Sequence, residues 1–132
     1  MLWGVTPYAN SWALKDMTKK NFALTADQIK PLATGYGGCI ATDMITVLGK
    51  PVGYMVREPT SRQSDSGWCF MAGDESQEYM DNSDHHAIYD VNTIANYSPD
   101  IIQFLDAPPE SAFVRDTSTG MLVQIPYEEP LE

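Results

Sequence analysis

Apolar and polar positions alternate most clearly in the middle of the chain. In residues 52–58, Val52, Tyr54 and Val56 fall on one face, and this period of two predicts a half-buried strand. Trp68-Cys69-Phe70-Met71-Ala72 is a compact apolar strand stopped by Gly73. Shorter strand patterns occupy residues 39–42 and 87–91. Residues 111–115 and 121–125 frame Asp116-Thr117-Ser118-Thr119-Gly120, a hairpin signal closed by Gly120. The turn-like Leu48-Gly49-Lys50-Pro51 links residues 39–42 to 52–58 and predicts that these two form an antiparallel hairpin. Residues 59–67 and 81–86 are polar and read as exposed loops.

Helical signals are short. Thr25 with Gln28 three residues on has the form of a helix start, and Pro31 limits it to a short helix or turn. Residues 43–47 extend the preceding strand or make a helical turn. Residues 74–80 read as a short helix with Asp74, Glu75 and Glu78 in its first turns, where carboxylates suit the positive helix end, and with Tyr79 and Met80 as anchors. Residues 92–97 make a helical turn. Ser98 as cap and Pro99 at the first helical position open a helix over 100–105. Strands outnumber helices, and none is followed by a long crossover helix. The expected fold is therefore α+β, a mainly antiparallel sheet with a few short helices. Its expected organisation is an aromatic-rich N-terminal arm (1–37) packing on the domain, the domain itself (38–126) and an acidic tail (127–132).

Composition narrows the class. The chain has 132 residues, 43% hydrophobic and 20% charged, which is ordinary for one globular domain and excludes wholesale disorder. No apolar run reaches the ~20 residues of a membrane span. The first residues lack the basic and apolar regions of a signal peptide, so the cytoplasm is the expected location. Cys39 and Cys69 lie in apolar segments and read as buried, reduced thiols.

Charge is unevenly placed. The net charge is −10, and residues 63–114 contain no Lys or Arg. Such a chain repels nucleic acid and anionic membranes and favours a basic protein partner. Its sequence leaves the oligomeric state open.

No constellation of catalysis is visible. The only histidines, His85 and His86, are adjacent, and neither a nucleophile elbow nor a phosphate-binding glycine loop occurs. No motif calls for a cofactor. Asp74, Glu75, Glu78, Asp81, Asp84, His85, His86 and Asp90 are close enough in sequence for a small metal-dependent hydrolase to be an alternative. The calcium-loop template fails, however, for want of its central glycine and closing glutamate. A third reading is a structural or ligand-binding domain whose aromatics, Tyr54, Trp68, Phe70, Tyr79, Tyr89, Tyr97, Phe104 and Phe113, line a cleft.

Several ordered segments carry a family resemblance. They are Pro51-Val52-Gly53-Tyr54-Met55-Val56-Arg57-Glu58, Asp65-Ser66-Gly67-Trp68-Cys69-Phe70-Met71-Ala72-Gly73-Asp74-Glu75, Tyr89-Asp90-Val91-Asn92-Thr93-Ile94-Ala95-Asn96-Tyr97, Leu105-Asp106-Ala107-Pro108 and Ser111-Ala112-Phe113-Val114-Arg115-Asp116. Over residues 38–125 the chain resembles the bacterial DUF2185 or Imm33-like immunity proteins. The resemblance implies a non-enzymatic antitoxin and brings no catalytic residues. Gly67, Trp68, Gly73, Asp74, Asn92 and Asp106 recur in the family, and here they read as turn glycines, core and, for Asn92 and Asp106, capping. Combined with the charge, this predicts a module that occludes a basic toxin. Asp74, Glu75, Glu78, Asp81 and Asp84 form its charged rim and Tyr79 its anchor.

Overall fold

The computed structural model describes residues 20–128. Six strands form one sheet: β1 (Gly38–Thr42), β2 (Tyr54–Arg57), β3 (Asp65–Met71), β4 (His86–Asp90), β5 (Ser111–Arg115) and β6 (Leu122–Ile125). Three short α-helices, α1 (Asp43–Thr46), α2 (Gln77–Asp81) and α3 (Val91–Tyr97), are joined by 3-10 segments at Ala26–Gln28, Ser83–His85 and Pro99–Phe104. The fold is α+β, and its sheet is mostly antiparallel but mixed. Its order is β4-β1-β3-β2-β5-β6, with β1 and β3 parallel and every other pair antiparallel. Residues 1–19 of the expected arm and residues 129–132 of the acidic tail lie outside the described residues.

The expected β1–β2 hairpin does not form. Instead β3 sits between the two and pairs with both. α1 turns the chain out of the sheet directly after Thr42, so β2 cannot return along β1. The most apolar strand thereby takes a central place in the sheet, with Trp68 and Phe70 buried. The β5–β6 hairpin forms as its turn residues predict, with Gly120 at a φ of 77°.

Strand alternation sends one set of side chains to each face. Across the inner face Ala41, Phe70, Met55 and Phe113 stand opposite one another in successive strands. α3 and the Pro99–Phe104 segment cover them with Val91, Ile94, Ala95, Ile101 and Leu105, all buried. Trp68 is almost wholly enclosed, stacks on Phe70 and donates its indole N–H to the Leu105 carbonyl at 3.2 Å. Burying a ring with a satisfied polar tip is the usual way a tryptophan enters a core.

Two polar anchors replace the expected caps. Asp90, not Asn92, caps α3 by accepting the Asn92 N–H. Asn92 reaches outward to residues 30–33: its Oδ1 accepts from Leu32 and Ala33 N–H at 2.7 Å each, and its Nδ2 donates to the Lys30 carbonyl. Asp106 likewise accepts from the Tyr36 hydroxyl instead of capping. Ser98 makes no cap hydrogen bond; its hydroxyl accepts from Val52 N–H and donates to Asp100. Asn92→Ala should orphan the Ala33 N–H and weaken the anchoring of Lys30 and Leu32, which keep bonds to Asn96 and to each other, and cost about 1–3 kcal/mol. Urea midpoints measure the cost, and faster amide exchange at Leu32 and Ala33 locates it.

Candidate partner-binding surface

The acidic segment follows β3 and runs through α2 into β4. The expected helix over 74–80 begins later, at Gln77, because two side chains reshape its start. Glu75 folds back, and its carboxylate accepts from Ala72 and Gly73 N–H at 2.8 Å each and from the Thr42 hydroxyl at 2.5 Å. Ser76 then caps α2 by accepting the Tyr79 N–H.

The six predicted rim residues accordingly have different surroundings. Asp74 is exposed and pairs with Lys50 at 2.8 Å; that ammonium holds its carboxyl below the usual range. Glu75 is half-buried and turned inward. Burial pushes its pKa up, but the hydroxyl of Thr42 and the two N–H groups outweigh burial, and the net shift is downward. Glu78, Asp81 and Asp84 are exposed, and among the described residues none lies within ion-pair distance of a cation. Asp81 accepts from Gln77. Tyr79 is half-buried and stacks on His85, with ring centroids 4.0 Å apart. Ser76, Glu78, Tyr79, Asp81, Asn82 and His85 line an open depression of about 510 Å³. The structure thus brings Glu78, Tyr79 and Asp81 together, leaves Asp84 on the following 3-10 turn and outside the lining of that depression, and gives Glu75 an internal task.

The depressed Glu75 pKa links stability to acidity. A carboxylate whose folded pKa is lowered stabilises the fold above its unfolded pKa, and this is lost as pH falls through the folded value. Glu75→Gln removes that titration and one oxygen acceptor. It should lower the urea midpoint at neutral pH and shrink the further loss on acidification below about pH 4. Unfolding curves at neutral and acid pH measure both effects.

The cluster has little of a catalytic centre. His85 Nδ1 lies 2.9 Å from the Tyr79 carbonyl and His86 Nε2 lies 3.2 Å from the Met80 carbonyl, so each ring is tied to backbone. Among the described residues no three His, Cys, Asp or Glu side chains are grouped to hold a metal ion. Both cysteines are free thiols. Burial raises the pKa of Cys39 and pushes that of Cys69 up to about 11, far from the thiolate a nucleophile needs at neutral pH. Of the eight aromatics that might have lined a cleft, Trp68, Phe70 and Phe113 are buried core. No helix among the described residues is long and apolar enough to cross a membrane.

Sequence reasoning missed the part played by Thr42 and His86. Both tie the acidic segment to the sheet, through Glu75 and Met80 respectively, and they stand opposite each other on β1 and β4. Nothing local marks Thr42, because it acts on Glu75, far along the chain; His86 acts on nearby Met80, but only the chain reversal between α2 and β4 brings the two together.

Fold and surface together define a class: a small α+β domain whose α2 segment presents exposed carboxylates. The match is to the Immunity protein Imm33 domain, whose family model covers residues 39–126, and the chain belongs to that family. No curated protein and no solved structure matches it. Membership gives the chain an immunity role in general.

Proposed function

We propose that this protein is a non-enzymatic antitoxin that binds a basic toxin through the α2 segment and occludes it. The observation that carries the reading is the exposed trio Glu78, Asp81 and Asp84, without a cation beside it among the described residues. Uncompensated like charges repel one another, and a cationic partner relieves that repulsion while being steered by it. Asp74 joins the rim by exchanging Lys50 for a partner's cation. Tyr79, stiffened by its stack on His85, supplies apolar contact at low entropic cost. Glu75 holds the turn that presents them. The cytoplasm is the setting in which such an antitoxin would shield its own cell.

The test is protection. The basic protein that co-purifies at low salt and is released at high salt is identified and expressed alone and with this chain. Rescue of growth by co-expression, with a stoichiometric complex and no change in the toxin's covalent mass, is the expected result. Rescue through chemical modification of the toxin, or no complex at all, would overturn the reading.

A further inference from the structure

β4 ends the sheet, and among the described residues no strand pairs with its far edge. Its backbone orientation follows from its one ladder. Val91 N–H donates to the Gly37 carbonyl, one step past the Gly38–Asp90 pair. Hydrogen-bonded and non-hydrogen-bonded pairs alternate in an antiparallel ladder. The backbone groups of Ala87 and Tyr89 therefore turn toward β1, and those of His86, Ile88 and Asp90 turn toward the open edge.

Among the described residues this edge lacks the usual protection. Natural edges carry a lysine, a proline, a bulge or a covering element. His86-Ala87-Ile88-Tyr89-Asp90 has neither lysine nor proline and pairs with β1 without a bulge. Ile88 at its centre is 78% exposed, and Ile40 beside it on β1 is 42% exposed.

We infer that β4 pairs antiparallel with β4 of a second copy of this chain, with the two-fold axis passing through Ile88. The register follows from charge. An axis at Ile88 sets His86 opposite Asp90 of the second copy at both ends and Ile88 opposite its own counterpart. All three outward-turned residues then donate and accept across the junction. An axis at Ala87 would oppose Asp84 to Asp90, two carboxylates, and an axis at Tyr89 would oppose Asp90 to Ile88. In its imidazolium form His86 donates one ring N–H to the Met80 carbonyl and the other to the carboxylate. Asp90 uses one oxygen to cap α3 and offers the second. Two six-stranded sheets become one continuous sheet.

Each chain carries a net charge of −10, so the copies repel at long range. Salt screens that repulsion over a Debye length of about 8–10 Å while leaving strand hydrogen bonds intact. Dimerisation should strengthen with salt, the reverse of toxin capture at the acidic rim.

Sedimentation equilibrium of the full chain, from micromolar to millimolar, should show the mass doubling from 14.7 kDa at high salt. Ile88→Lys should keep the chain monomeric throughout and leave Tm unchanged, because the side chain is mostly in solvent. Ile88→Cys should form a disulfide dimer on mild oxidation, since directly opposed Cα atoms in a hydrogen-bonded pair sit about 5.5 Å apart, within disulfide range. Ile40→Cys, one strand further from the axis, should not. A chain monomeric at millimolar concentration in high salt overturns the inference. So does a dimer that survives Ile88→Lys, or equal cross-linking of the two cysteine variants. A monomeric result leaves the antitoxin reading standing, and loss of toxin binding with the dimer intact removes only that reading.

Discussion

Reversing the rim with Asp74→Lys, Glu78→Lys, Asp81→Lys and Asp84→Lys together is expected to slow association with the basic toxin by roughly 10- to 1,000-fold at low salt. All four side chains are exposed. Among the described residues their only side-chain partners are Lys50 for Asp74 and Gln77 for Asp81. The fold should therefore persist, with far-UV dichroism and urea midpoint close to wild type. The loss should fall mainly on the association rate and should shrink as salt is added, because rim charges steer encounter more than they hold the complex. Tyr79→Ala should act on the other limb. Removing an aromatic anchor typically costs about 2 kcal/mol or more, read as faster dissociation with little salt dependence. Stopped-flow association across a salt series separates the two. If the four-fold variant keeps the wild-type rate and salt slope, the rim is not where the toxin docks. Glu75→Lys is a poor member of this set, because it would break the turn that aims the others.

The second large effect is structural. Gly53→Ala is expected to destabilise the domain by about 3 kcal/mol or more, in the range reserved for severe backbone or core lesions. A β-carbon at Gly53 would lie 1.9 Å from the Ala72 carbonyl oxygen and 2.8 Å from its carbonyl carbon. Backbone cannot move aside as a side chain can. Gly53 is also held on both sides, donating N–H to Met71 and accepting from Arg115 N–H. Relief of the clash would pull β2 from β3 at the centre of the sheet. Gly120→Ala is the control. Its φ of 77° is unfavourable for alanine, yet nothing lies within 4 Å of the added carbon. It should cost only the left-handed backbone penalty of about 1–2 kcal/mol. Paired urea denaturation decides the matter, and equal costs for the two would mean that β2 and β3 separate easily there.

Much of the element inventory was legible in the chain. Period-two alternation marked β2, the apolar run after Gly67 marked the core of β3, and Asp116–Gly120 marked the β5–β6 turn. These signals are local, carried by residues within one strand or turn, so they survive without tertiary context. The acidic bias of residues 63–114 was equally plain, because charge is a property of composition. The α2 boundary was misplaced by about one turn. Glu75 has the form of a first-turn helix residue, and only the Thr42 hydroxyl and the Ala72 and Gly73 N–H groups, folded beside it, draw it away.

By itself, then, the sequence determined the class: α+β, mostly antiparallel, acidic, with Trp68 and Phe70 in the core, and an immunity-protein relationship written in several ordered motifs. Tertiary structure alone decided that β3 separates β1 from β2, that Asn92 ties down residues 30–33, and that Gly53 must remain bare. It also decided which carboxylates of the rim face outward and which is spent inside, and it left Ile88 on an open edge. The physical reason is common to all of these. Each depends on a contact between residues far apart in the chain, where packing and hydrogen bonding override local preference, and no local pattern encodes which distant partner will arrive.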